Sequence, residues 1–201
     1  MMEVLLEPTK FFEKAKERPP RPWISYLVVL LAGLISALAS QLAARDLPAP
    51  TLFGPSWLWL LVGVLIGSLI LWGIFGFLLH LLTGLGARAY EIAGWTFAPG
   101  VVLGLVLLAL AALFPIEARL PPPPPPLEIA QLKDWMHGYE AAVRASLFSQ
   151  VSRWLNLIGV LWGAWILYAG VRVFAEKRAT LVVSLYLAIQ AALYLLSFFG
   201  R

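Results

Sequence analysis

Residues 57–82 read WLWLLVGVLIGSLILWGIFGFLLHLL, without a single Asp, Glu, Lys or Arg. A helix rises about 1.5 Å per residue, so about 20 apolar residues cross a hydrocarbon core about 30 Å thick. In that medium a helix satisfies its own backbone hydrogen bonds, which makes it the natural reading of such a run. Four more runs repeat the pattern, at Ile24–Leu42, Ile92–Phe114, Leu155–Phe174 and Thr180–Phe199. Only the fourth carries a charge, Arg172, placed near its end where it can snorkel to the interface. Trp23, Trp57, Trp95 and Trp154 stand near run starts, where interfacial anchors belong.

The composition agrees. The chain has 201 residues, 61% apolar and 13% charged. Soluble domains are about 45–50% apolar and about 25% charged, so one soluble core cannot absorb the excess. The fold class expected is all-α, a polytopic membrane bundle of five transmembrane helices. Short surface helices are expected in the N-terminal tail and in the third loop. Two parts are expected: a basic cytoplasmic tail over 1–22, and a single five-helix transmembrane domain over 23–201. Ala37-Leu38-Ala39 resembles a signal-peptide cleavage site. The long, mixed-charge, proline-bearing region ahead of it argues for a retained span.

Lys and Arg counts set the orientation. With the N-terminus inside, the inner segments hold Lys10, Lys14, Lys16, Arg18, Arg21, Arg88, Lys177 and Arg178. The outer segments hold Arg45, Arg119, Lys133, Arg144, Arg153 and Arg201. The expectation is a cytoplasmic N-terminus and an external C-terminus, in the plasma membrane if the source is prokaryotic. A basic tail beside an apolar run suits an anionic leaflet, so membrane lipids are the expected partners and nucleic acid is not.

In that tail, Thr9 would cap a short helix with Phe11, Phe12 and Ala15 on one side and Lys10 and Lys14 outward, lying on the membrane surface. The outer loop, 115–154, contains six consecutive prolines, Pro121 to Pro126. They form an extended spacer of about 19 Å at about 3.1 Å per residue. After it, Trp135, Tyr139, Val143, Leu147 and Val151 recur at helical spacing, with Glu140 and Arg144 as an i,i+4 pair. This predicts an amphipathic helix running into the fourth span. It serves either as a cap on the bundle or as a lid or docking element.

No catalytic constellation is present in the sequence. There is no cysteine, His80 and His137 fall on different sides of the membrane, and metal-ligand and phosphate-loop spacings are missing. No cofactor and no metal are expected. The candidate functional residues are His80, Arg88, Glu91, Trp95 and Pro99, with Lys10, Phe11, Phe12 and Lys14 as the membrane-surface tail. An ionisable residue inside a span, such as His80, is a functional candidate by default. It also shares a helix face with Gly76 and Gly84, where it could simply donate a hydrogen bond to a neighbour. Arg88 and Glu91, three apart, form either an interfacial ion pair or a site for a head group or partner. Pro99 inside the third run removes a backbone donor and should kink the helix and free a carbonyl. Asn156, Ser184 and Gln190 read as interhelical glue. Small residues four apart, as at Gly63/Gly67, Gly100/Gly104, Gly159/Gly163 and Ala188/Ala192, allow close helix contact within one chain or between copies of a homo-oligomer.

Pro8-x-x-Phe11-Phe12, then Tyr90-Glu91-Ile92-Ala93-Gly94-Trp95-Thr96-Phe97-Ala98-Pro99, Leu161-Trp162, Gly170 and Lys177-Arg178-Ala179 make up a recurrent pattern. The chain thereby resembles the Yip-domain family, the Rab/Ypt-interacting five-span membrane proteins. The resemblance implies five spans, a lumenal or external C-terminus, and a place in membrane organisation or traffic. The tail here is far shorter than the cytosolic region of eukaryotic members, so the resemblance is to a bacterial or archaeal type. The functional expectation is a non-enzymatic membrane scaffold or adaptor that meets other membrane proteins. The alternative is a small transporter or lipid-handling protein with a cavity near the third span.

Overall fold

The computed structural model describes residues 1–47, 56–116 and 129–199. All described elements are helical. They are α1 (Met2–Leu6), α2 (Pro8–Lys16), α3 (Pro22–Ala43), α4 (Ser56–Thr83), α5 (Ala87–Trp95), α6 (Ala98–Leu113), α7 (Ile129–Ala145), α8 (Leu147–Ala175) and α9 (Ala179–Phe199). A 3-10 turn at Glu176–Arg178 joins the last two. The polyproline run Pro121–Pro126 lies outside the described residues.

Among the described residues, four stretches are long and apolar enough to cross a membrane: Pro22–Ala43, Trp59–Thr83, Ala87–Leu113 and Leu147–Leu196. The fourth is 50 residues long and is not one rod. The turn at Glu176–Arg178 folds α9 back along α8, bringing the Tyr186 hydroxyl within 3.4 Å of the point a Cβ on Gly163 would reach. The large exposed apolar side chains of α4, such as Trp59, Leu65 and Leu69, fit a lipid-facing helix.

Three local expectations are corrected. The third run is two helices, with the break at Thr96–Phe97 and Pro99 in the first turn of α6. Pro99 has no N–H for the Trp95 carbonyl, and the Gly100 N–H turns to Phe97 O at 2.9 Å. In the tail, α2 starts at Pro8, so Thr9 sits inside the helix and does not cap it. Proline, with its fixed φ and missing donor, is suited to that first position. Finally, α7 does not run into α8. Ser146 interrupts them, extended in backbone, and its hydroxyl accepts from Ser149 N at 3.2 Å as the α8 cap.

The core lies where α3, α5 and α8 meet. Ile92, Ala93, Ile166, Leu167 and Val171 are fully buried there. Close approach of α3 to α5 depends on Gly94, because a Cβ at that position would stand 2.4 Å from Ser25 Oγ. The tail belongs to the same core. Val4, Leu5 and Phe12 join this cluster, and Phe12 is 0% exposed. Trp162 Nε1 donates to Leu5 O at 3.0 Å, tying α1 to the middle of α8.

Candidate functional site

The α4–α5 turn sets the site. Gly84 and Gly86 take positive φ, +74° and +57°, which glycine adopts without steric cost. The chain reverses there, and His80 Nδ1 accepts from Gly86 N at 3.0 Å. The turn launches α5 with Arg88 and Glu91 on one face.

Glu91 is 0% exposed. Its Oε2 accepts from Arg88 Nη1 at 2.5 Å and from the backbone N–H of Arg21 at 3.2 Å. Its Oε1 lies 2.7 Å from Arg18 Nη2, an ion pair without hydrogen-bond alignment. Arg88 Nη2 donates to Arg18 O at 2.6 Å, and its guanidinium stands 4.9 Å from the centre of the Phe174 ring. The Arg88–Glu91 pair therefore ties together α5, the end of the tail, the start of α3 and the end of α8. Burying a charge is costly unless it is paired and hydrogen-bonded, and this one is both.

The candidates fall into separate places. Arg88 and Glu91 come together with the tail. Trp95, one turn further along α5, is largely buried with its ring 5.1 Å from Phe11, edge to face. Phe12 meets Phe174 in the same manner at 6.5 Å. Lys10 and Lys14 are exposed and pair with Glu7 and Glu3. A hydrogen bond from Lys10 to Glu7, helped by the nearby carboxylate charge, holds its ammonium above the usual lysine range. His80 stands apart, in an open recess of about 490 Å³ bordered by Trp23, Trp72 and Tyr90. Pro99 stays at the helix break.

Arg18 and Phe174 were not singled out from the sequence. Arg18 counted there only as one of several tail charges. The signal that could have raised it is the Pro19-Pro20 stop beside it, which fixes where the tail must turn into α3. No group of three or more His, Cys, Asp or Glu side chains that could hold a metal occurs among the described residues.

These features define a multi-pass α-helical membrane protein whose N-terminal tail is folded into the bundle. The Yip1 domain family model matches residues 2–199, and the chain belongs to that family. No curated protein matches it, and no solved structure does.

Proposed function

We propose that this chain is a non-enzymatic membrane scaffold or adaptor of the Yip type, with α8 and α9 crossing separately to give five spans. Its N-terminus is cytoplasmic, its C-terminus external, and the membrane is the plasma membrane of a bacterium or archaeon. The observation that supports this reading is the enclosure of Glu91. Its carboxylate is 0% exposed and faces two guanidinium groups and a backbone N–H of the chain itself. This buried charge thus serves to hold the tail. Partners are left the helix faces, above all α4, where a side chain added at Gly63 or Gly67 would meet nothing within 4 Å.

The natural absence of cysteine provides the test. Gly63→Cys, treated with a bifunctional thiol- and amine-reactive crosslinker in native membranes, is expected to yield discrete adducts with another membrane protein or a second copy. A chain that stays uncrosslinked at native abundance, in a strain with a clear deletion phenotype, rejects the adaptor role. Thiol labelling from one side of the membrane at residues 2 and 199 reads the orientation.

The lipid-handling alternative also gains an observation, since cavities border the α5–α6 break and α9.

A further inference from the structure

Two adjoining cavities lie against α9. One, about 320 Å³, lies where the α5–α6 break, α3, α8 and α9 meet. Ser36, Thr96, Asn156, Tyr186 and Gln190 supply its polar lining. The other is a groove of about 370 Å³ between α4 and α9, with Leu71, Phe75, Leu185 and Ile189 among its walls. Phe97, Tyr186 and Gln190 line both, so the polar chamber and the apolar groove adjoin at these side chains.

The side chains of Asn156, Tyr186 and Gln190 form no hydrogen bond to any described residue of the chain. Asn156 is exposed, while Tyr186 and Gln190 are half-buried on the mostly apolar α9. To the extent that the Tyr186 hydroxyl and the Gln190 amide are withdrawn from water, leaving them unpartnered costs up to about 1–3 kcal/mol each. Interhelical glue would discharge that cost, yet Asn156 and Gln190 line one chamber without bonding each other. Pairing Asn156 with Gln190 is therefore not what the chamber is for.

The complement is an amphiphile. Amides and a phenol both donate and accept, so they match a hydroxyl or carbonyl group. No Asp, Glu, Lys or Arg among the described residues lines either cavity, so a charged head there would go unpaired. The groove beside them suits a hydrocarbon chain. We propose that the pair of cavities binds a neutral lipid. Its hydroxyl or ester head is held by Asn156, Tyr186 and Gln190, and its acyl chain lies in the groove between α4 and α9. The proposal builds on the lipid-handling reading and is independent of the adaptor role. A further cavity on the other side of the α8–α9 pair shares Asn156 and Gln190 and carries Arg153. Were that cavity the head-group site, Arg153 would favour an anionic lipid, which makes phosphatidylglycerol the informative competitor.

The test uses the full chain in phosphatidylcholine nanodiscs with a dioleoylglycerol analogue carrying a diazirine on its acyl chain. Peptides spanning 71–82 and 182–193 are expected to take the label. Unlabelled dioleoylglycerol should compete, and squalene and phosphatidylglycerol should not. The double variant Asn156→Leu/Gln190→Leu should weaken half-maximal competition about tenfold, the scale of one to two lost hydrogen bonds. Tyr186→Phe, which removes one oxygen and leaves the ring, should weaken it about threefold. Equal competition by squalene or phosphatidylglycerol, or unchanged competition in both variants, overturns the proposal while leaving lipid binding in place. No label in either peptide overturns the lipid-handling reading as well.

Discussion

Two polar regions of this bundle were built in opposite ways. At one end, Glu91 is enclosed by Arg88, Arg18 and the Arg21 N–H, and its partners come from several elements of the chain. Around α9, Asn156, Tyr186 and Gln190 converge on a chamber and find no hydrogen-bond partner among the described residues. Polar groups cost free energy when they leave water, so each must be repaid by a partner somewhere. Where the partner is internal, the group fixes architecture. Where it is missing, the group is free to serve something outside the chain. The contrast predicts that the first region governs stability and the second governs binding.

The sharpest way to break the comparison is Glu91→Ala. It strands two guanidinium groups, one of them largely buried, and removal of one member of a buried ion pair costs about 3–5 kcal/mol. The expected result is a strong fall in the thermal midpoint of the purified protein, followed by tryptophan fluorescence in detergent. The tail should become protease-sensitive at the same time, because Glu91 pairs with Arg18 and with the N–H of Arg21. Glu91→Gln should fall less far, since the amide oxygen can still accept. A midpoint unmoved by Glu91→Ala would mean that the tail is held by its apolar residues alone.

A smaller effect sharpens the same point at the far end of the tail. Trp162→Phe keeps an aromatic ring in α8, though a smaller one, and deletes the donor to Leu5 O. A net loss of about 0.5–1.5 kcal/mol is expected, the scale of one hydrogen bond. Faster amide exchange should be confined to residues 1–6, with α2 protected. If exchange instead rises across the whole tail, α1 and α2 release as one unit.

The spans were legible because a run such as residues 57–82 has only one comfortable medium, and length and hydropathy report it without any knowledge of packing. The tail was legible only as a helix. Phe11, Phe12 and Ala15 give the same amphipathic pattern whether their face meets lipid or protein, and the structure turns Phe12 into the core beside Phe174 and Gly170. Arg88 and Glu91 could be paired from their spacing of three. Arg18, far away in sequence, enters only once the Pro19-Pro20 corner and the α4–α5 turn are folded. Pro99 announced an irregularity, but its form as a break at Thr96–Phe97 depended on Gly100 finding Phe97 O. The chamber was the least legible feature. Asn156 and Gln190 are single polar residues in separate runs, and their convergence requires the antiparallel register of α8 and α9.

The smallest stability effect is expected at that chamber, and it is the most discriminating. Asn156→Leu replaces an exposed amide and Gln190→Leu a half-buried one, neither with a hydrogen-bond partner among the described residues. If the amides served as glue, each loss would cost about 0.6–1 kcal/mol. If they are reserved for a ligand, the ligand-free protein should hold its thermal midpoint or gain slightly, because an unpaired polar group has been removed. Addition of dioleoylglycerol should then raise the midpoint of the parent chain and leave that of the double variant unmoved, since a ligand stabilises only the state that binds it. A clear fall in the ligand-free midpoint would place Asn156 and Gln190 with Glu91, as part of the architecture, and would erase the difference between the two regions.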